Sequence, residues 1–110
     1  MAGSFELKKA ASGQFHFNLK AGNGEILLTS EMYDSKASAQ NGVASVQKNC
    51  QDDARYAKAV AANGKFHFTL KAANHQVIGS SQMYASEASR DAGIESVKNH
   101  GTSSNITDAS

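Results

Sequence analysis

The sequence predicts an α+β fold in which two tandem repeats build one antiparallel sheet with helices packed on one face. Three observations carry this. The chain repeats itself at an offset of 51 residues without a gap: Gly13-Gln-Phe-His-Phe-Asn-Leu-Lys-Ala falls on Gly64-Lys-Phe-His-Phe-Thr-Leu-Lys-Ala. Within each copy, apolar residues alternate with period two and then switch to helical spacing. No flexible linker separates the copies, since Gln51-Asp52-Asp53-Ala54 runs straight into Arg55-Tyr56.

Each repeat opens with a strand, Phe5 to Lys9 or Tyr56 to Val60. Ser12-Gly13 and Asn63-Gly64 then read as tight hairpin turns, Asn-Gly being a strong signal for a two-residue loop with positive φ. The second strand alternates cleanly. Phe15, Phe17 and Leu19 oppose His16, Asn18 and Lys20, and Phe66, Phe68 and Leu70 oppose His67, Thr69 and Lys71. One apolar face means a half-buried strand. Asn23-Gly24 makes the next turn, matched by Asn74-His75, a poorer turn because histidine tolerates positive φ less readily. The third strand, Glu25 to Ser30 or Gln76 to Ser81, is apolar at successive positions, which predicts a central strand or one covered on both sides.

A helix follows in each copy, from Ser35 to about Asn49 and from Ser86 to about Asn99, with serine at each N-cap position. Ala39, Val43, Val46 and Cys50 share one face of the first helix. The second keeps Ile94 and Val97 but has Arg90 and Gly101 at the ends. Gly42 and Gly93 occupy equivalent helical positions at a cost of about 1 kcal/mol each relative to alanine, which points to a close approach of helix to sheet. Equivalence with Asp52 to Ala57 makes the segment Ser103 to Asp108 a closing strand carrying Ile106.

A length of 110 residues suits one domain, with internal repeats over 5–55 and 56–106. Hydrophobic residues make up 40% and net charge is +1. The first 51 residues hold five basic and four acidic side chains, the remainder six of each. Such a balance argues against bulk nucleic-acid or anionic-membrane binding. One cysteine, Cys50, excludes an internal disulfide and suits a reducing cytoplasm. Met1-Ala-Gly-Ser has neither a basic nor an apolar stretch of the signal-peptide kind, and no apolar run approaches a membrane span.

The stretches Phe15-His-Phe-Asn-Leu-Lys-Ala, Thr29-Ser-Glu-Met-Tyr, Gly42-Val-Ala-Ser-Val, Ala54-Arg-Tyr-Ala-Lys and Lys71-Ala-Ala-Asn-His-Gln-Val-Ile-Gly resemble the YegP family. These are small, mostly bacterial proteins of unknown function. The resemblance covers nearly the whole chain. It implies β-β-β-α-β motifs assembled into one sheet, the last strand of each motif exchanged to the other. It brings no catalytic or binding residues with it.

The residues themselves narrow the chemistry. His16, His67, His75, His100 and Cys50 match no zinc spacing, so neither a metal nor a cofactor is expected. No Gly-x-Ser-x-Gly elbow is present, and Gly22-Asn-Gly-Glu lacks the Lys-Ser/Thr ending of a phosphate loop. Glu25 aligns with Gln76, Glu31 with Gln82, Asp34 with Ala85 and Glu95 with Ala44, so no acidic site recurs in both halves. The recurring polar feature is on the second strand of each repeat: His16 and Lys20, His67 and Lys71. If the helices cover the phenylalanines, these four look outward, as a weakly basic platform for an anionic ligand or acidic partner or as a plain solvated face. Exposed stacking aromatics, the mark of RNA-binding sheets, are missing from that face. Tyr33 and Tyr84 are expected to anchor the corner where strand three enters the helix.

The reading is therefore a small cytoplasmic binding or interaction module, expected to be a monomer. An enzyme with a site in one repeat only and a structural, self-associating protein are the alternatives. The missing linker generates a first prediction. Residues 1–53 expressed alone should unfold or pair with themselves, because a unit of about 50 residues buries too little surface to stand alone. Size-exclusion with light scattering and circular dichroism checks this; a folded, monomeric half would mean independent units.

Overall fold

The computed structural model describes residues 3–103 and 105–109. Its strands are β1 (Ser4–Lys9), β2 (Phe15–Lys20), β3 (Ile26–Ser30), β4 (Tyr56–Val60), β5 (Phe66–Lys71), β6 (Val77–Ser80) and β7 (Ile106–Asp108), and its helices α1 (Lys36–Asn49) and α2 (Glu87–His100). A 3-10 turn, Asp53–Arg55, links α1 to β4. The strands form one sheet in the order β4-β5-β6-β3-β2-β1-β7. Every pairing is antiparallel except that of β7, which lies parallel to β1.

The two repeats meet at β3 and β6, where Thr29 pairs with its own equivalent, Ser80. A pseudo-two-fold axis therefore runs through that pair. Both helices lie on the same face. α1 covers β1 and β2 and reaches β5 and β6, while α2 covers β5 and reaches β3 and β2. Each helix thus crosses the axis, and the core is common property: Phe5, Leu7, Phe17, Leu19 and Leu28 join Phe68, Leu70, Val46 and Val97 in one buried cluster.

The turns form differently from two-residue hairpins. Gly13 N–H donates to the Ala10 carbonyl (3.0 Å) and Ala10 N–H to the Gln14 carbonyl (2.7 Å). Gly13 alone takes positive φ, at 89°. This is a type I turn closed by a glycine bulge. The asparagines contribute through their side chains instead. Asn23, Asn63 and Asn74 each accept the N–H two residues on, at 3.0 Å. His75 occupies the glycine position of its turn with φ 68°, the one non-glycine residue at positive φ among those described.

The apolar run of β3 also has a specific cause. Leu19 pairs with Leu28 but Lys20 with Ile26, so Leu27 is an extra residue in a bulge. Leu27 is thereby buried with Leu28, and Ile26 is left exposed. Ile78 is the equivalent extra residue in β6. Both strands are central, as their composition predicts, yet neither is covered on both faces.

The helix caps form as expected, Ser35 Oγ accepting from Ser38 N–H and Ser86 Oγ from Ser89 N–H, both at 3.1 Å. The helical glycines receive the corner tyrosines. A Cβ at Gly42 would come within 2.5 Å of the Tyr33 hydroxyl, and one at Gly93 would collide with Tyr84. Tyr33 stacks on Phe17 and Tyr84 on Phe68, each with centroids 6.4 Å apart. Arg90 takes the place of Ala39 at the edge of the core. It is buried, with its guanidinium over the Phe66 ring (5.5 Å) and Nε 3.4 Å from Asp91.

At two places where equivalent core positions meet near the axis, one of the pair is a glycine. Leu28 faces Gly79, whose added Cβ would lie 3.1 Å from Leu28 Cγ and 2.8 Å from the Thr29 carbonyl. Cys50 faces Gly101, whose Cβ would lie 2.8 Å from Cys50 Sγ. Two identical side chains on a two-fold axis compete for one space, and a glycine in one copy resolves this. Gly79→Leu should therefore cost about 3 kcal/mol by overpacking. The exchange Leu28→Gly/Gly79→Leu should recover about 1 kcal/mol or more of the summed single losses, as residues in contact do. Urea unfolding of the three variants measures it; strictly additive losses would mean that the positions do not share space.

Candidate functional site

Alternation in β2 and β5 sends the phenylalanines toward the helices and leaves His16, Asn18, Lys20, His67, Thr69 and Lys71 on the uncovered face. Strand register supplies their neighbours. His16 lies beside Lys8, Asn18 beside Glu6 and Lys20 beside Ser4. In the second repeat His67 lies beside Ala59 and Thr69 beside Ala57. A continuous row crosses the face: Asn18, Thr29, Ser80, Thr69.

The four candidate residues do not form one cluster. β6 and β3 separate β5 from β2, so the two strands stand three spacings apart, about 14 Å at ~4.8 Å per spacing. They also run in opposite directions. His16 is consequently at the same end of the sheet as Lys71, and Lys20 at the same end as His67. The face holds two half-sites related by the axis, with Thr29 and Ser80 between them.

The half-sites differ in ion pairing. Glu6 Oε1 lies 3.0 Å from Lys8 Nζ and 3.1 Å from Lys20 Nζ. The Lys8 ammonium, then that of Lys20, holds the Glu6 carboxyl below its ordinary value of 4.5. Lys20 is thus committed to an internal partner. Alanine stands in Glu6's place in the second repeat, at position 57. Lys71 has no ion-pair partner among the described residues. His16 Nδ1 is buried and makes no hydrogen bond among them. Sequence reasoning missed Glu6, although the signal was present. It shares the alternation of Lys8, and the register of the first hairpin places it beside Asn18.

Other chemistry-bearing places are less promising. A half-open cavity of about 520 Å³ lies at the β3–α1 corner, lined among others by Glu31, Tyr33, Asn41 and Gln76. Burial pushes the Tyr33 hydroxyl up, and Glu31 adds to the shift. Burial likewise raises the Cys50 thiol, which makes it a poor nucleophile. Among the described residues, no group of three or more His, Cys, Asp or Glu side chains is placed to hold a metal ion. No helix among them is long and apolar enough to cross a membrane.

Comparison with known proteins agrees with this architecture. The family model described as "Domain of unknown function (DUF1508)" matches the chain twice, over residues 10–56 and 61–108. A UPF0339 protein of Acinetobacter baylyi is 66% identical over 98% of this chain and 97% of its own. The UPF0339 protein YegP of Escherichia coli K12 is 61% identical over 98% of each chain. The solution NMR structure of a UPF0339 protein from Shewanella oneidensis superposes with a TM-score of 0.93 at 57% identity, covering 98% of this chain and 92% of that one. That of yegP from E. coli gives 0.94 at 60% identity, covering 99% and 94%.

The Glu6 geometry has a consequence for stability. A carboxyl whose folded value is depressed stabilises the fold above its unfolded value, and that contribution disappears as pH falls through the folded value. Stability should therefore decline as pH falls below the ordinary carboxyl value of 4.5, and Glu6→Gln should flatten part of that decline. Urea midpoints across this range test it; the same slope in wild type and variant would show that the pairs with Lys8 and Lys20 contribute nothing.

Proposed function

The chain belongs to the DUF1508 family of bacterial UPF0339 proteins, for which no activity is assigned, and we propose that it is a small binding module that receives an anionic ligand on the uncovered face of its sheet. The observation that carries this is the difference between the half-sites. His67, Thr69 and Lys71 alternate on a face that no helix covers, next to a strand offering only Ala57 and Ala59. In the first repeat the same positions are crossed by the Glu6–Lys8–Lys20 pairs. A ligand anion at Lys71 would meet an ammonium without an internal carboxylate, with the Thr69 hydroxyl next along the strand and the His67 imidazole about 13 Å away at its other end, within reach of an extended anion only.

The enzyme reading has less to stand on. A general acid or base needs a value moved toward neutrality. The two carboxylates that shift, Glu6 and Asp91, both move down: Lys8 and Lys20 hold the first ionised, and Lys58, then Arg90, the second. Such groups are suited to ion pairing rather than to proton transfer.

An NMR titration with short-chain polyphosphate as the probe tests the binding reading. Saturable amide shifts are expected at His67, Thr69 and Lys71 in preference to His16 to Lys20, and Lys71→Glu should remove them. Lys20→Glu should have little effect, and Glu6→Gln should bring the first half-site into the titration. Shifts that are absent, or that survive Lys71→Glu, would reject this face as the site.

A further inference from the structure

The parallel strand β7 has no counterpart in the other half of the sheet. It follows α2 and lies on the outer edge of β1, with Phe5 N–H donating to the Asn105 carbonyl (2.9 Å) and Ala109 N–H to that of Leu7 (2.8 Å). The odd-numbered residues of β1 thus point their backbone groups away from β2. β4 is the equivalent of β1 and keeps the same register on its inner neighbour, Tyr56 facing Leu70 as Phe5 faces Leu19. Its outward groups belong to Tyr56, Lys58 and Val60. The residues equivalent to β7, Arg55 to Ala57, are used up by the end of the 3-10 turn and the start of β4 itself, and the turn satisfies only Tyr56 N–H, through the Asp53 carbonyl. β4 is a terminal strand of the sheet. The Tyr56 carbonyl, both groups of Lys58 and those of Val60 face outward along it.

The space beside that edge is open as well. On the helix side of β4 a groove of about 430 Å³ is lined by Asp53, Tyr56, Lys58, Asp91, Ile94 and Glu95. The corresponding place in the first repeat lies under β7, where Phe5 and Leu7 are 0% and 1% exposed. There Asp108 pairs with Lys36 of α1, and Gln47 donates to the Ser103 carbonyl at 2.8 Å. Val60, at the end of the open edge, is 60% exposed.

The two seats also differ in sign. The α1 positions Lys36, Gln40 and Ala44 become Glu87, Asp91 and Glu95 on α2. The residue that meets Asp108 in the first repeat is thus a carboxylate, Glu87, in the second. A second copy pairing through β4 about a two-fold is disfavoured, because Lys58 is the central residue of that strand and would face its own copy.

We propose that the outer edge of β4 and its groove receive an extended peptide from another protein, added parallel to β4, with an aliphatic residue in the position of Ile106 and a basic residue in that of Asp108. The aliphatic side chain lies against Tyr56 and Ile94, and the basic one points to Glu87, since Asp91 is already paired with Lys58 (3.2 Å) and Arg90 (3.4 Å). Main-chain hydrogen bonds to Lys58 and Val60 supply the affinity, and Glu87 supplies the selectivity, Glu95 being paired with Lys98. This surface is separate from the uncovered face and does not depend on it.

The test is an amide-shift titration of the full ¹⁵N-labelled chain with two synthetic peptides spanning residues 103–110, one with Asp108→Lys and one unsubstituted. The substituted peptide should give saturable shifts at Lys58, Val60 and the first turns of α2, and the unsubstituted one should bind about fivefold more weakly, as a partly solvated ion pair allows. Lys58→Pro removes one outward N–H without touching a bond to β5 and should abolish the shifts. If that variant does not fold, Glu87→Lys decides instead: it should reverse the preference toward the unsubstituted peptide. Four results would overturn the proposal: no saturable shift at β4, shifts at Phe5 and Leu7 instead, a preference unchanged by the charge exchange, or shifts at β4 that depend on protein concentration without peptide, which would make a second copy the occupant.

Discussion

The pairing of β3 with β6 is the contact on which the rest of the molecule rests. Each repeat has a sheet face rich in phenylalanine and leucine and only one helix to cover it. Joining the two three-stranded units edge to edge, Thr29 to Ser80 and Ser30 to Gly79, makes one sheet wide enough for both helices to lie across it. Each helix then covers strands of both repeats, so neither half owns its core. Burial of apolar surface supplies most of the driving force, and here it is collected only after a long-range pairing has formed.

A near-symmetric core carries a steric cost at its axis, and the divergence of the repeats follows from it. Leu28 against Gly79 and Cys50 against Gly101 are each a large and a vanishing side chain at equivalent positions. Away from the axis the copies are free to agree, and there they do: Tyr33 and Tyr84 stack on Phe17 and Phe68 with the same separation and fit against Gly42 and Gly93. The other divergences concern charge and coverage. Glu6 against Ala57 gives the lysines of one half of the open face an internal partner and leaves Lys71 in the other without one among the described residues. β7 closes one edge of the sheet, while the equivalent edge of β4 carries only a 3-10 turn. A duplicated fold thereby presents two unlike surfaces.

Much of this was legible in the chain. The alternation of Phe15 to Lys20 and its copy, the serine caps and the glycines at 42 and 93 depend on neighbours within one element or one hairpin, and their signals are local. His75 at positive φ was foreseeable from its alignment with Gly24. The asparagine turns were misread in detail, because the same dipeptide serves a two-residue loop or an Asx turn with a glycine bulge, and only strand register decides between them. The apolar run Ile26-Leu27-Leu28 suggested burial on both faces; a bulge yields the same run with one face open. At the candidate site, the outward direction of His16, Lys20, His67 and Lys71 was readable from period two. Their separation was not, since it depends on which strands lie between.

By itself the sequence determined the duplication, the element order and the side of each strand that is buried, because the period of side chains along a strand or helix is a property of the backbone. The tertiary structure alone decided that β3 meets β6, that Lys20 is held by Glu6 while Lys71 is not, and that β7 covers β1 while the edge of β4 stays open. These are relations between residues far apart in the chain. No local pattern encodes them; they follow from which arrangement of two half-covered sheets removes the most apolar surface from water.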